Sequence, residues 1–116
     1  RQARYSAYLS INFIRLRSLT YLDLSRALDA QLAFTAVRER LRTWGGSFEE
    51  GFKAAVQDIL PEYGFNPSKD LDILVCVPAY QWIGTTLPAL FFGSGRLDEA
   101  LAAWRRLVDV RGRINR

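Results

Sequence analysis

The chain has no histidine and no methionine, and its single cysteine is Cys76. The missing histidine removes the commonest general base and the commonest metal ligand at neutral pH. One thiol without imidazoles cannot build a tetrahedral zinc site, and a lone cysteine excludes an internal disulfide. Cys76 stands in the apolar run Ile73-Leu74-Val75-Cys76-Val77, where a small buried thiol fits. The expectation is a reducing intracellular compartment, cytosol or organelle matrix. Lysine is also scarce: only Lys53 and Lys69 interrupt a basic set that is otherwise arginine. Low-complexity tracts and linkers are absent. With 49% hydrophobic residues in 116, the chain can offset its own entropy, so residues 1–116 read as a single domain.

The constellations that chemistry requires are missing as well. Glu49-Glu50 and Asp98-Glu99 fall in the first turns of expected helices, where capping accounts for them. Asp70 and Asp72 supply too few oxygens for a calcium loop. Gly93-Ser94-Gly95-Arg96 precedes a helix, but it lacks the third glycine of a dinucleotide fingerprint and the lysine of a P-loop. A structural turn is the preferred reading. The expectation is therefore no catalytic residue, no metal, no cofactor and no enzyme. Ile73 to Gly95 carries no formal charge, a length that could span a bilayer. Pro78, Gln81, Gly84, Thr85, Thr86 and Pro88 interrupt it, so a buried strand, loop and short helix are expected and membrane contact is not favoured.

Charge is concentrated at the two ends. Against a net charge of +4, Arg1, Arg4, Arg15 and Arg17 meet no acid in residues 1–17, and Arg105, Arg106, Arg111, Arg113 and Arg116 meet only Asp109 in residues 105–116. The middle is correspondingly acidic. Arg1, Arg4, Arg15, Arg17, Arg105, Arg106, Arg111 and Arg113 are the candidate partner-binding residues, with Tyr8 placed to stack on a base if exposed. The two basic ends are expected to converge on one side of the fold. The first twenty residues, arginine- and serine-bearing without an acid, also match an organellar transit segment in composition. An ordinary basic strand or helix is the preferred reading.

Periodicity gives the elements. Ala7, Leu9, Ile11 and Phe13 alternate with Ser6, Tyr8, Ser10 and Asn12, as in a strand, with a helix through Tyr5, Leu9, Phe13 and Leu16 as the alternative. From about Leu22 to Trp44 the period is helical, with Ala27, Ala30, Phe34, Val37, Leu41 and Trp44 on one stripe. Leu24, Leu28 and Leu32 widen that stripe, which implies burial on more than one side. Gly45-Gly46 ends this helix, and Ser47 with Glu50 forms a capping box for the next. Phe48, Phe52, Val56 and Ile59 make its apolar face. The two should form an antiparallel hairpin. Leu71 to Val77 reads as a short buried strand, and Pro88 as the first turn of a short helix. Leu97 to Val110 is a helix whose stripe is Leu97, Ala100, Leu101, Trp104, Leu107 and Val108, with Trp104 packing near Phe91 or Phe92.

Residues 87–107, from Leu87-Pro88-Ala89 through Gly95 and Ala100 to Trp104-Arg105-Arg106-Leu107, resemble one tetratricopeptide or pentatricopeptide repeat. Gly95 matches the turn glycine, Ala100 the small contact residue and Trp104 the aromatic one turn later. Tyr63-Gly64-Phe65-Asn66-Pro67 is similar to the end of a pentatricopeptide repeat. The resemblance implies a scaffold that binds peptide or RNA, without catalysis.

The fold expected is mainly α: a compact domain of about four helices with room for two short β-strands, and α+β as the alternative. The leading function is a non-catalytic protein–protein interaction or structural subunit of a larger assembly. The alternatives are an RNA-binding accessory domain using the arginine-rich termini, with RNA or another anionic surface as partner, and a small enzyme without metal or histidine chemistry.

Overall fold

The computed structural model describes residues 3–75, 90–93 and 95–114. It is an α+β fold, which overturns the expectation of a mainly helical domain. Four strands form one antiparallel sheet: β1 (Tyr8–Ile11), β2 (Ile14–Ser18), β3 (Leu71–Val75) and β4 (Leu90–Phe92), in the order β1-β2-β3-β4. Three helices complete the described residues: α1 (Leu24–Arg42), α2 (Phe48–Glu62) and α3 (Leu97–Ile114). Of the short helix expected from Pro88, the described residues Leu90–Phe92 form β4 instead, which pairs Phe91 with Leu74 and Phe92 with Ile73. Gly95 thus joins a strand to a helix. Cys76, Pro78 and Pro88 lie outside the described residues.

The alternation in β1 and β2 sets the two layers. Leu9, Ile14, Leu16, Leu71, Ile73 and Val75 are buried on one face of the sheet. They pack with Phe34 and Val37 of α1, Phe52 and Val56 of α2, and Ala100, Leu101 and Trp104 of α3. The other face carries Tyr8, Ser10, Arg15 and Arg17 and holds no helix among the described residues. A strand period of two makes this division automatic once one face is apolar.

The β1–β2 connection has two residues. Asn12 (φ 48°) and Phe13 (φ 70°) both lie in the left-handed region, as a type I′ hairpin requires. Asparagine tolerates that conformation and phenylalanine does not. Two tertiary contacts offset the strain: Phe13 packs partly buried against the core, and the indole N–H of Trp104 donates to the Asn12 carbonyl at 2.7 Å. Beyond Ser18 the ladder steps by one residue to an isolated Tyr5–Tyr21 pair. The buried Ser18 hydroxyl bridges the step, accepting from Ala7 N and donating to Leu19 O.

The helices obey their local signals. Asp23 caps α1 and Ser47 caps α2, its hydroxyl accepting from Glu50 N at 3.3 Å. α2 ends in a left-handed glycine, Gly64 (φ 83°), with Phe65 N donating to Leu60 O and Gly64 N to Pro61 O. This is the Schellman arrangement. α1 and α2 form the expected antiparallel hairpin: Arg40 pairs with Asp58, and Trp44 lies on Gly51. A Cβ at Gly51 would meet Trp44 Cδ1 at 2.5 Å, so the indole fills the space a side chain would need. Trp44 itself is 39% exposed, not a core residue.

One further expectation is corrected. Leu24, Leu28 and Leu32 do not widen a buried stripe; they are 49%, 54% and 59% exposed, because no described element covers that side of α1. Trp104 is buried in the core cluster against which Phe92 packs, and its ring also meets Phe48 of α2, centroids 4.8 Å apart. Among the described residues no helix is long and apolar enough to cross a membrane.

Candidate functional site

Two surfaces stand out, on different sides of the fold. The first is the outer side of α1. Leu24, Leu28 and Leu32 recur every fourth residue and so rise on successive turns as one ladder. Leu22, 59% exposed, precedes it. The core side of the same helix is Ala27, Ala30, Ala33, Phe34 and Val37, so the ladder faces away from the domain. Its neighbours Ser25, Gln31 and Thr35 are uncharged, and exposed Asp29 lies between Leu28 and Leu32 on one flank. At its lower end Leu24 and Leu28 border a hollow shared with Arg4, Tyr5 and Ser6.

The second surface is the open face of the sheet. Arg15 and Arg17 alternate with buried residues on β2 and therefore share one face. The register sets Arg15 opposite Ser10 and Leu74, and Arg17 opposite Tyr8 and Asp72. Arg17 Nη2 donates to Asp72 Oδ2 at 2.9 Å. That hydrogen bond raises the Arg17 pKa and fixes its side chain. Arg15 Nε donates to Ser10 Oγ at 3.2 Å. From α1, Arg38 Nη2 reaches the Ser10 carbonyl at 3.3 Å. Because β1 is an edge strand, this contact also covers one of its outward-facing backbone groups. Tyr8, 49% exposed, completes the face.

The candidate arginines whose side chains are described, Arg4, Arg15, Arg17, Arg105 and Arg106, do not gather in one place. Arg4 is exposed ahead of β1, and Arg15 and Arg17 lie together on the open face. Arg105 lies in the helix layer, on the other side of the sheet, so the two basic ends do not converge there. Its guanidinium pairs with Glu49 of α2 and with Asp109, and stacks 5.2 Å from the Trp104 ring. The Glu49 contact raises the Arg105 pKa. Arg106 is exposed on the same helix. Arg111 and Arg113 belong to α3, their side chains outside the description, and Arg1 lies outside the described residues.

Sequence reasoning missed Arg38 and read the leucine ladder as core. The only sequence signal for the ladder is an i, i+4, i+8 repeat, which a core stripe would share. Most of the carboxylates singled out as possible ligands are engaged structurally: Asp72 with Arg17, Glu49 with Arg105, Asp98 with Lys53 and Glu99 with Arg96. Asp70 accepts from Asn66 N in the loop before β3. Among the described residues no group of three or more histidine, cysteine or acidic side chains could hold a metal ion.

Set against known protein families, curated proteins and solved structures, the chain finds no match in any of the three.

Proposed function

We propose that the domain is a non-catalytic interaction module that docks another protein chain, as a subunit of a larger assembly, through the leucine ladder of α1. One observation carries the reading: three leucines on successive turns, each about half exposed or more, on a helix whose other side is fully committed to the core. Covering an exposed leucine completely is worth up to about 1.5–3 kcal/mol, so a partner that covers the ladder gains several kcal/mol. Rows of side chains four residues apart form the ridges that pack into the grooves of a second helix. The partner element is therefore an apolar helix face, flanked mostly by the uncharged Ser25, Gln31 and Thr35, with Asp29 the acidic group beside it. The single cysteine supports a reducing intracellular setting.

A photoreactive phenylalanine analogue at Leu28 tests this in cells producing the protein. A discrete adduct with one polypeptide is expected, mapped to an apolar helix. It should disappear when Leu24 and Leu32 are both changed to Glu. The same analogue at Gln57, exposed on α2, should give none. Equal adducts from both positions, or none from Leu28, reject the reading.

A further inference from the structure

We propose that the open face of the sheet binds single-stranded nucleic acid, with a phosphate held between Arg15 and Arg38 and a base stacked on Tyr8. This uses a different face from the leucine ladder. Two guanidinium groups from distant parts of the chain meet at one neutral residue: Arg15 on Ser10 Oγ and Arg38 on the Ser10 carbonyl. Neither has a carboxylate within 4.0 Å among the described residues, a property they share with Arg4, Arg26 and Arg106, whereas Arg17, Arg40, Arg42, Arg96 and Arg105 each have at least one. Each guanidinium offers five N–H donors and uses one of them on Ser10. Arg15 approaches Ser10 from the open face and Arg38 across the β1 edge, and an anion bound at that edge would offset both charges. Arginine forks match phosphate oxygens in pairs.

The surroundings of the two arginines favour a polynucleotide over a bare anion. Hollows lie on both sides of Arg15. One, of ≈ 600 Å³ at the hairpin end of the sheet, is walled on this face by Ser10, Asn12, Phe13, Arg15 and Leu74. The other, of ≈ 180 Å³, lies between Tyr8, Arg17, Asp72 and Leu74. The order along the face is therefore apolar hollow, cation, aromatic hollow, which matches base, phosphate, base. Tyr8 is two residues from Ser10 on β1, roughly 7 Å along the strand, and about half of it is exposed. Arg17, neutralised by Asp72, shapes the second hollow. Single strands splay their bases onto such aromatic platforms, whereas a duplex keeps them stacked inside.

Fluorescence anisotropy with a labelled single-stranded oligouridylate, at low and at physiological salt, tests the site. The intact protein is expected to bind. Tyr8→Ala should weaken binding roughly 5- to 150-fold, the range for one stacked base. Arg15→Ala with Arg38→Ala should weaken it and flatten the log–log salt slope by about 0.7, one phosphate contact on a single strand. Arg106→Ala and Tyr63→Ala, remote charge and ring controls, should leave it nearly unchanged. Circular dichroism checks folding, and if the alanine pair does not fold, the Arg15→Lys, Arg38→Lys pair is read instead, with weakened binding expected as the bidentate forks are lost. The site is overturned if the intact protein does not bind at low salt, or if Arg106→Ala costs as much as the double variant. Binding of inorganic polyphosphate as tight as that of RNA, with Tyr8→Ala silent, also overturns it, because the face would then read charge alone.

Discussion

Replacing Trp104 separates three contributions that meet at one side chain. Its indole is 4% exposed, stacks 4.8 Å from Phe48 and donates to the Asn12 carbonyl across 92 residues of chain. Trp104→Ala deletes all three. Emptying a buried tryptophan site costs about 3–5 kcal/mol, against a total stability of about 5–15 kcal/mol for a domain of this kind. Trp104→Phe keeps an aromatic ring against Phe48 and removes the hydrogen bond. Because Asn12 is exposed, its carbonyl recovers water, and that bond accounts for only about 0.5–1.5 kcal/mol of the loss. The bond also holds a hairpin whose Phe13 sits at φ 70°. Phe13→Gly relieves that strain but loses the ring's packing, so its effect should grow less harmful in the Trp104→Phe background. Urea unfolding of the parent and these four variants provides the measurements. A Trp104→Ala protein that unfolds within about 1 kcal/mol of the parent refutes the reasoning, because the side chain would then not be anchoring core and hairpin together.

Three other perturbations have expected outcomes. Gly51→Ala should destabilise by about 1 kcal/mol, since overpacking against Trp44 outweighs the gain in helix propensity; in a Trp44→Ala background the same change should stabilise, and denaturant midpoints decide. Leu28→Gln should shift stability by no more than about 0.5 kcal/mol, because the side chain is 54% exposed; a loss above about 2 kcal/mol in thermal unfolding would place it in a core. Burial holds the Tyr21 phenol above its usual pKa, with Arg26 pulling the other way. The folded state therefore keeps that proton longer than the unfolded one, and stability should fall as pH rises from about 10 through the folded value. Tyr21→Phe should make the alkaline fall in melting temperature shallower, and identical pH profiles would contradict it.

The elements whose partners lie close in sequence were legible. β1 announced itself by alternation, α2 by Ser47 and Glu50, and α3 by the stripe through Trp104, because period and caps are local properties. The rest depends on distant pairing. β4 is three residues long and is a strand only because Ile73, Leu74 and Val75 lie beside it; read alone, Leu90-Phe91-Phe92 after a proline suits a helical turn equally well. The ladder of Leu24, Leu28 and Leu32 has the spacing of a core stripe, and only the choice of which side of α1 meets the sheet makes it a surface. Half of the proposed nucleic-acid site was visible as Arg15 and Tyr8. Arg38 was not, since its role rests on a carbonyl 28 residues earlier in the chain. The hairpin turn gave no glycine to mark it, and Phe13 gives no local hint of a positive φ.

The bond between Trp104 and Asn12 also imposes an order on synthesis. On a ribosome the β1–β2 hairpin emerges long before the tryptophan that pins its turn. At about 5–20 residues per second, 92 residues take roughly 5–20 s to make. Until α3 follows, Ile73 and Val75 of β3 lack the helix that packs on their strand, while α1, already made, displays its leucines. The nascent chain thus carries two apolar surfaces at once, and only one of them closes when α3 arrives. Chaperones that recognise exposed leucine should engage the chain during translation and release most of it upon docking of the last helix.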